Sequence, residues 1–172
     1  MALLDSVRDL LKQYSAGGVA NTANAAEHFD QVSKVAPPQA IADGLSAVFR
    51  SDQTPAFGNL VGSLFSQSNG EQKAGLLNQL LSSVNPATLS SLAGGGALAS
   101  LLGAGKPVTP DQAQSVSPQM VQQLASHAEK ADPSVVDKAS SLFAQHPTLI
   151  KTLGGAALSI ALAKVAQRQK AA

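Results

Sequence analysis

The middle of this 172-residue chain contains two pairs of matching patterns, and a true repeat would restrict the fold to two similar copies of one unit. The pattern DQxxxVxP occurs at residues 30–37 and again at 111–118, a shift of 81 (111 against 30). The pattern SLFxQ occurs at 63–67 and at 141–145, a shift of 78 (141 against 63). The patterns keep their order, and their spacing differs by about one helical turn. Because a chain rich in Ala, Ser, Leu and Gln also matches itself by chance, duplication and coincidence both stay open.

Prolines at helix starts indicate that the repeated unit is helical. A proline at the first helical position loses no needed hydrogen bond, and a polar residue before it can cap the exposed amides. Between these starts the apolar residues keep helical spacing, and no stretch shows a sustained alternation typical of strands. The sequence therefore predicts an all-α fold. The five capped starts are Thr54-Pro55, Asn85-Pro86, Thr109-Pro110, Ser117-Pro118 and Asp132-Pro133.

The predicted architecture is a single-domain helical bundle of two degenerate copies around an apolar C-terminal helix. Residues 153–163 contain no charge and many small side chains, which is typical of a helix surrounded by others. This segment is well short of the roughly 20 residues that a membrane-spanning helix needs. We predict an N-terminal amphipathic helix at 1–18 and a first copy at 19–93. A Gly-rich apolar connector follows at 94–107, and the second copy with the central helix occupies 108–172.

Low charge sets the expected partners. Charged residues make up only 13% of the chain and the net charge is +1, so repulsion between copies is weak and self-association is favoured. Nucleic acid is not an expected partner, because phosphate binding needs clustered Lys and Arg. The sequence therefore predicts a homo-oligomer or a protein partner.

Two apolar segments are candidates for an interaction surface. The first is a stripe on the N-terminal helix, whose balanced charges favour docking on the domain over binding to a membrane surface. The second is the run at 97–102 between glycines, which is either a short packed segment or a mobile apolar finger. The other apolar stripes are better placed to cover the central helix. The candidate surface residues are Leu3, Val7, Leu10, Leu11, Tyr14, Leu98, Leu101 and Leu102.

The sequence contains no pattern that indicates catalysis, a cofactor or a metal. With no cysteine, thiolate chemistry and cysteine-type metal sites are excluded. His28, His127 and His146 do not form the i, i+4 pair of a helical zinc site. Residues 103–106 read GAGK, but a proline follows where a phosphate-binding loop needs Ser or Thr. We therefore expect a protein that is not an enzyme.

One stretch carries a family resemblance. TPDQ at 109–112 followed by VQQLA at 121–125, near a Gly-rich apolar segment, resembles the small all-helical YidB-like bacterial proteins. The resemblance covers about a quarter of the chain, which is longer than that pattern. It implies helices and a bacterial source, and it implies no active-site residues.

The function predicted from the sequence is a non-enzymatic bacterial helical interaction or scaffold module that self-associates. Two alternatives stay open, a carrier of an apolar ligand such as a lipid and a peripheral membrane-associated protein. Charges at Asp5, Arg8, Asp9 and Lys12 interrupt what would have to be the apolar region of a signal peptide. With no spanning segment either, we expect a cytoplasmic protein.

Overall fold

The computed structural model describes residues 2–16, 23–93 and 106–171, and these residues are almost entirely helical. They contain eleven α-helices and a short 3-10 helix but no strand, so the predicted all-α class is confirmed. No helix in these ranges is long and apolar enough to cross a membrane. The α-helices are α1 (Ala2–Ser15), α2 (Ala25–Val35), α3 (Pro38–Phe49), α4 (Phe57–Gln67), α5 (Gly70–Ser83), α6 (Pro86–Ala93), α7 (Pro110–Gln114), α8 (Pro118–Ala131), α9 (Val135–Ala144), α10 (Pro147–Ile150) and α11 (Gly155–Ala171), with the 3-10 helix at Lys151–Leu153.

The chain divides into two compact units rather than following the predicted boundaries. Unit 1 consists of residues 1–54 and 140–172, and unit 2 consists of residues 55–139. The sequence predicts a single bundle with one copy before residue 94 and the other after residue 107. Instead, residues from before and after that connector contribute to each unit. The physical reason is that the apolar faces of α2 and α3 are covered by α11, which is far away in the sequence, whereas α4 and α5 pack with α7 and α8.

The C-terminal helix α11 forms the centre of unit 1. It packs against α3, α1 and α2, and its side chains Leu158 and Leu162 are 1% and 0% exposed. The apolar segment predicted at 153–163 is therefore core only in part: Ala157, Leu158, Ser159, Ala161 and Leu162 are buried, Gly154 and Ala156 are exposed, and the helix starts only at Gly155. Gly154 before it has a φ of 93°, a backbone conformation that glycine adopts without strain. In α3, a methyl group at Gly44 would lie only 2.9 Å from the carbonyl oxygen of Ala161, so glycine permits the close approach of α3 and α11.

Unit 2 is built around the contact between α4 and α8, with α5 packed on α7 and α8. Gly58 and Gly62 face α8, where an added methyl group would collide with the side chains of Ser126 and Gln122 respectively. This spacing of small residues four apart lets the two backbones come close. The largest fully buried side chains of the unit are Phe57, Phe65, Leu64, Leu76, Leu77, Leu80 and Leu124.

Three of the five predicted proline-linked caps form at a helix start, whereas Asp132 closes the turn that precedes α9. Thr109 and Gln112 make the reciprocal capping box, and the side chain of Ser117 accepts a hydrogen bond from the Met120 amide. Asn85 and Asp132 accept from backbone amides two residues later. Thr54 does not cap a helix, because α4 begins only at Phe57 and the Thr54 hydroxyl instead donates to the Val48 carbonyl at 2.6 Å.

The two-copy repeat is not confirmed by the fold and stays a prediction. Its two marker phenylalanines share one property that the prediction requires, because Phe65 and Phe143 are 0% and 1% exposed. Phe65 lies in unit 2, whereas Phe143 lies in unit 1, where its ring meets Phe49 edge to face with centroids 6.5 Å apart.

Candidate functional site

The candidate site is the part of unit 1 where α1 meets α2 and α11, which we call the α1 corner. Val7, Leu11 and Tyr14 recur at helical spacing along α1 and are only 2–4% exposed. They pack towards α11, as the docking interpretation of this helix expects. Three of the predicted interaction residues are therefore already used inside the unit. They would have to leave it before they could bind a partner.

A hydrogen bond between Tyr14 and His28 fixes the end of α1 on α2. The Tyr14 hydroxyl lies 2.7 Å from His28 Nδ1, and the two rings meet edge to face at 5.8 Å. Burial raises the pKa of the Tyr14 hydroxyl above its usual value, so it stays protonated at neutral pH. The pair therefore orients α1 and gives its buried tyrosine a polar partner.

Two shallow grooves run beside α1 and give the corner its exposed apolar and basic surface. One groove, of about 190 Å³, has Leu11 and Ala166 among its lining residues and basic side chains from both helices at its edge. The other, of about 310 Å³, is lined by residues that include Leu4 and Val35. Leu4 is 52% exposed and is the one large hydrophobic side chain that is exposed in the described part of the chain. The basic residues of the first groove are Arg8, Lys12 and Lys170.

An ion-pair cluster joins α2 to the 3-10 helix on another side of unit 1. Asp30 accepts hydrogen bonds from Lys34 at 2.7 Å and from Lys151 at 2.9 Å. These bonds, first from Lys34 and then from Lys151, lower the pKa of Asp30 to about 2. The cluster is partly solvent-exposed and its single carboxylate is held by two ammonium groups, which suits a structural ion pair better than a reactive carboxylate.

The Asp30 cluster predicts a small loss of stability in acid. A carboxylate whose pKa is lower in the folded protein than in the unfolded chain stabilises the fold above its unfolded pKa. That contribution falls as the pH drops below about 4 and is lost as the pH passes below the folded pKa of about 2. We expect Asp30→Asn to lower the melting temperature slightly at neutral pH and by clearly less at pH 2. Thermal melts of both proteins across this range measure the difference, and an equal loss at both pH values would contradict it.

The remaining candidate residues are only partly described by the structure. Leu10 is half-buried, whereas the side chain of Leu3 and all of Leu98, Leu101 and Leu102 lie outside the described residues. Their use as an interaction surface stays a prediction. His127 is exposed and His146 is half-buried at the start of α10. In the described ranges no three or more His, Asp or Glu side chains come together in a way that could hold a metal ion.

Several contacts that sequence reasoning missed join residues far apart in the chain. Asp30 and Lys151 are 121 positions apart, and Ser46 and Ser140 are 94 positions apart. Neither local spacing nor composition carries a signal for such pairs. The resemblance to YidB-like proteins also stays a prediction, since no family model, curated protein or solved structure matches this chain.

Proposed function

We propose that this protein is a non-enzymatic helical interaction module that associates with further copies of itself. The observation that carries the proposal is that the chain is nearly neutral and that many of its charged side chains are paired. The chain has 12 Lys and Arg against 11 Asp and Glu, and many of the described charged groups are already paired within one unit. The pairs join Lys12 to Asp9, Lys34 and Lys151 to Asp30, Lys138 to Asp132, and Arg168 to Asp43.

Paired charges and a nearly neutral chain leave little long-range repulsion between copies. Approach to contact distance is then limited by desolvation of uncharged polar groups such as Gln, Ser and Asn, which costs less than desolvating unpaired charges. Low charge thereby supports self-association over a soluble monomer that stays apart by repulsion. It also supports a protein partner over nucleic acid, because the chain has nearly as many acidic as basic residues and at least five of its twelve basic side chains are paired with carboxylates.

The two alternatives from the sequence have less support in the described residues. A lipid carrier needs a concave, largely enclosed apolar pocket, whereas the grooves of the α1 corner are shallow. A peripheral membrane protein using α1 needs its apolar face free, whereas Val7, Leu11 and Tyr14 are buried. Binding of a lipid recovered by organic extraction, or co-sedimentation with vesicles, would revive these alternatives.

We also propose that the chain contains two copies of one helical unit, as the repeat suggests. Support comes from α4 and α9, whose first residues are 78 positions apart in the sequence and which bury side chains at corresponding positions. Further support comes from their partners. Helix α4 packs on α8 and the last residues of α9 pack on α3, and both α3 and α8 follow the DQxxxVxP pattern. The matching buried residues are Phe57, Val61 and Phe65 in α4 and Val135, Ala139 and Phe143 in α9.

The test of self-association adds charge where it disturbs nothing else. Gln13, Gln53, Gln67 and Gln123 are all exposed, and changing the four to Glu takes the net charge from +1 to −3. Two such chains about 30 Å apart repel each other by about 1 kcal/mol in water, which is close to a tenfold change in affinity. We expect a concentration-dependent dimer or larger assembly of the natural chain by sedimentation equilibrium, weakened about tenfold at low salt by these changes.

The control variant carries Gln→Asn at the same four positions, which keeps the charge at +1. It should associate like the natural chain, and added salt should restore association of the Glu variant because it screens the repulsion. A natural chain that stays monomeric from micromolar to millimolar concentration would overturn the proposal.

A further inference from the structure

Unit 1 is closed only by contacts between the two ends of the chain. Residues 1–54 supply α1, α2 and α3, and residues 140–172 supply the end of α9, α10 and α11. The first segment lays its buried faces on α11, so neither segment has a core of its own. Unit 2 between them is continuous in sequence, from 55 to 139. Opening unit 1 therefore does not require unit 2 to lose any of its own segments.

The contacts between the two segments of unit 1 lie both in its core and on its surface. The Ser46 hydroxyl donates to Ser140 Oγ at 3.0 Å inside the core, and the Phe49 ring meets Phe143 beside it. On the exposed side Lys151 donates to Asp30 at 2.9 Å. Each of these contacts depends only on the two segments. The same contacts form whether the segments belong to one chain or to two.

The described surface offers no comparable area for association by simple docking. A stable interface buries on the order of 1,000 Å² or more with an apolar centre. The α1 corner has a single exposed large hydrophobic residue, Leu4, above shallow grooves. In contrast, the core of unit 1 contains fully buried side chains from both segments, such as Leu45 from the first segment and Phe143 and Leu158 from the second.

We propose that copies of this chain associate by exchanging residues 1–54, so that each unit 1 combines this segment of one chain with residues 140–172 of another. This inference rests on the proposed self-association and names its mode. Exchange keeps the native contacts within unit 1 and requires the link between α3 and α4 to open. That link runs from residue 50 to residue 56. The Thr54 hydroxyl holds it in unit 1 by donating hydrogen bonds to the Val48 and Ser51 carbonyls.

Mass action favours the exchange at high concentration. Within one chain the two segments are tethered through a folded unit, which fixes an effective concentration that a second chain can match at high protein concentration. We expect the exchanged dimer to form slowly, because unit 1 must open before its segments can exchange. Heating near the melting midpoint at high concentration and then cooling should populate it.

The test uses cysteines in a chain that has none of its own. In the Ser46→Cys/Ser140→Cys variant the two sulfur atoms replace oxygens 3.0 Å apart, close enough for a disulfide after a small rotation. Monomer and dimer fractions are separated, oxidised and run on denaturing gels without reductant. We expect disulfides within one chain in the monomer and covalently linked chains in the dimer. The single variants Ser46→Cys and Ser140→Cys are the controls and should give neither product.

The outcomes separate this inference from the proposed function. A dimer with disulfides only inside each chain would overturn exchange and leave self-association standing. A protein without any dimer would overturn both.

A second measurement decides the matter if the disulfide forms in neither fraction. Leu45→Asp damages the first segment of unit 1 and Leu158→Asp damages the last one, while each chain keeps the other segment intact. When the two full-length variants are refolded together, exchange builds one undamaged unit 1 per mixed dimer. We expect the mixture to regain a cooperative melt that neither variant shows alone, and a mixture that behaves as the sum of its parts would overturn exchange.

Discussion

Leu158→Asp is expected to unfold unit 1, so that the cooperative melting transition of this unit is lost. Leu158 is 1% exposed at the centre of the unit, on a helix that contacts α3, α1 and α2. The change removes a buried aliphatic side chain and places a carboxylate in the core, away from water. Together these effects cost more than about 4 kcal/mol, a large part of the stability of a typical domain.

The measurement is a thermal melt followed by circular dichroism, with Gln167→Asp as the matched control. Gln167 is exposed on the same helix, so the same new charge should cost no more than about 1 kcal/mol there. We expect Leu158→Asp to show no cooperative melt of unit 1, whereas Gln167→Asp should melt close to the temperature of the natural chain. Equal melting temperatures for the two variants would show that α11 is not the centre of unit 1.

The sequence predicts the helices of this fold well because their signals are local. A proline after Thr109 or Ser117 starts a helix through hydrogen bonds that span three residues, and those bonds form. The charge-free run at 153–163 likewise predicts a buried helix, because burial selects against charge at every position. Thr54 fails as a cap since its hydroxyl finds the Val48 carbonyl instead, and a pattern of residue types carries no sign of that competition.

The partners of the helices could not be predicted from the same signals. An apolar face indicates that a helix is covered, but it does not indicate which helix covers it. Gly44 illustrates the difference, because in sequence it is a weak point in a helix, whereas in the fold it lets the backbone of α3 approach Ala161. The α1 corner shows the same limit. The stripe of α1 is visible in the sequence, but only the packing shows that Tyr14 meets His28 and that Leu4 stays exposed.

The second large effect is expected at the two phenylalanines of the repeated SLFxQ pattern. Phe65 and Phe143 are both fully buried, although they lie in different units. Phe65 also has the Lys73 ammonium 5.2 Å from its ring centre, and Phe143 packs edge to face on Phe49. Replacing either with Ala leaves a cavity that the surrounding helices cannot fill, at a cost of about 3–5 kcal/mol each. Denaturant unfolding of the two variants should give matching losses if the residues are equivalent in two copies.

The leucines next to these phenylalanines test whether residues at matching positions of the pattern are also equally buried. Leu64 is fully buried, whereas Leu142 at the corresponding position is only half-buried. Leu64→Ala should therefore cost about 2–5 kcal/mol, and Leu142→Ala clearly less, because the lost transfer free energy scales with the area removed from water. Similar losses at the phenylalanines with dissimilar losses at the leucines would mean that the two copies keep one anchor each and have diverged around it. A large loss at Phe65 with a small one at Phe143 would leave the sequence match without a structural counterpart, and the repeat would then be coincidence.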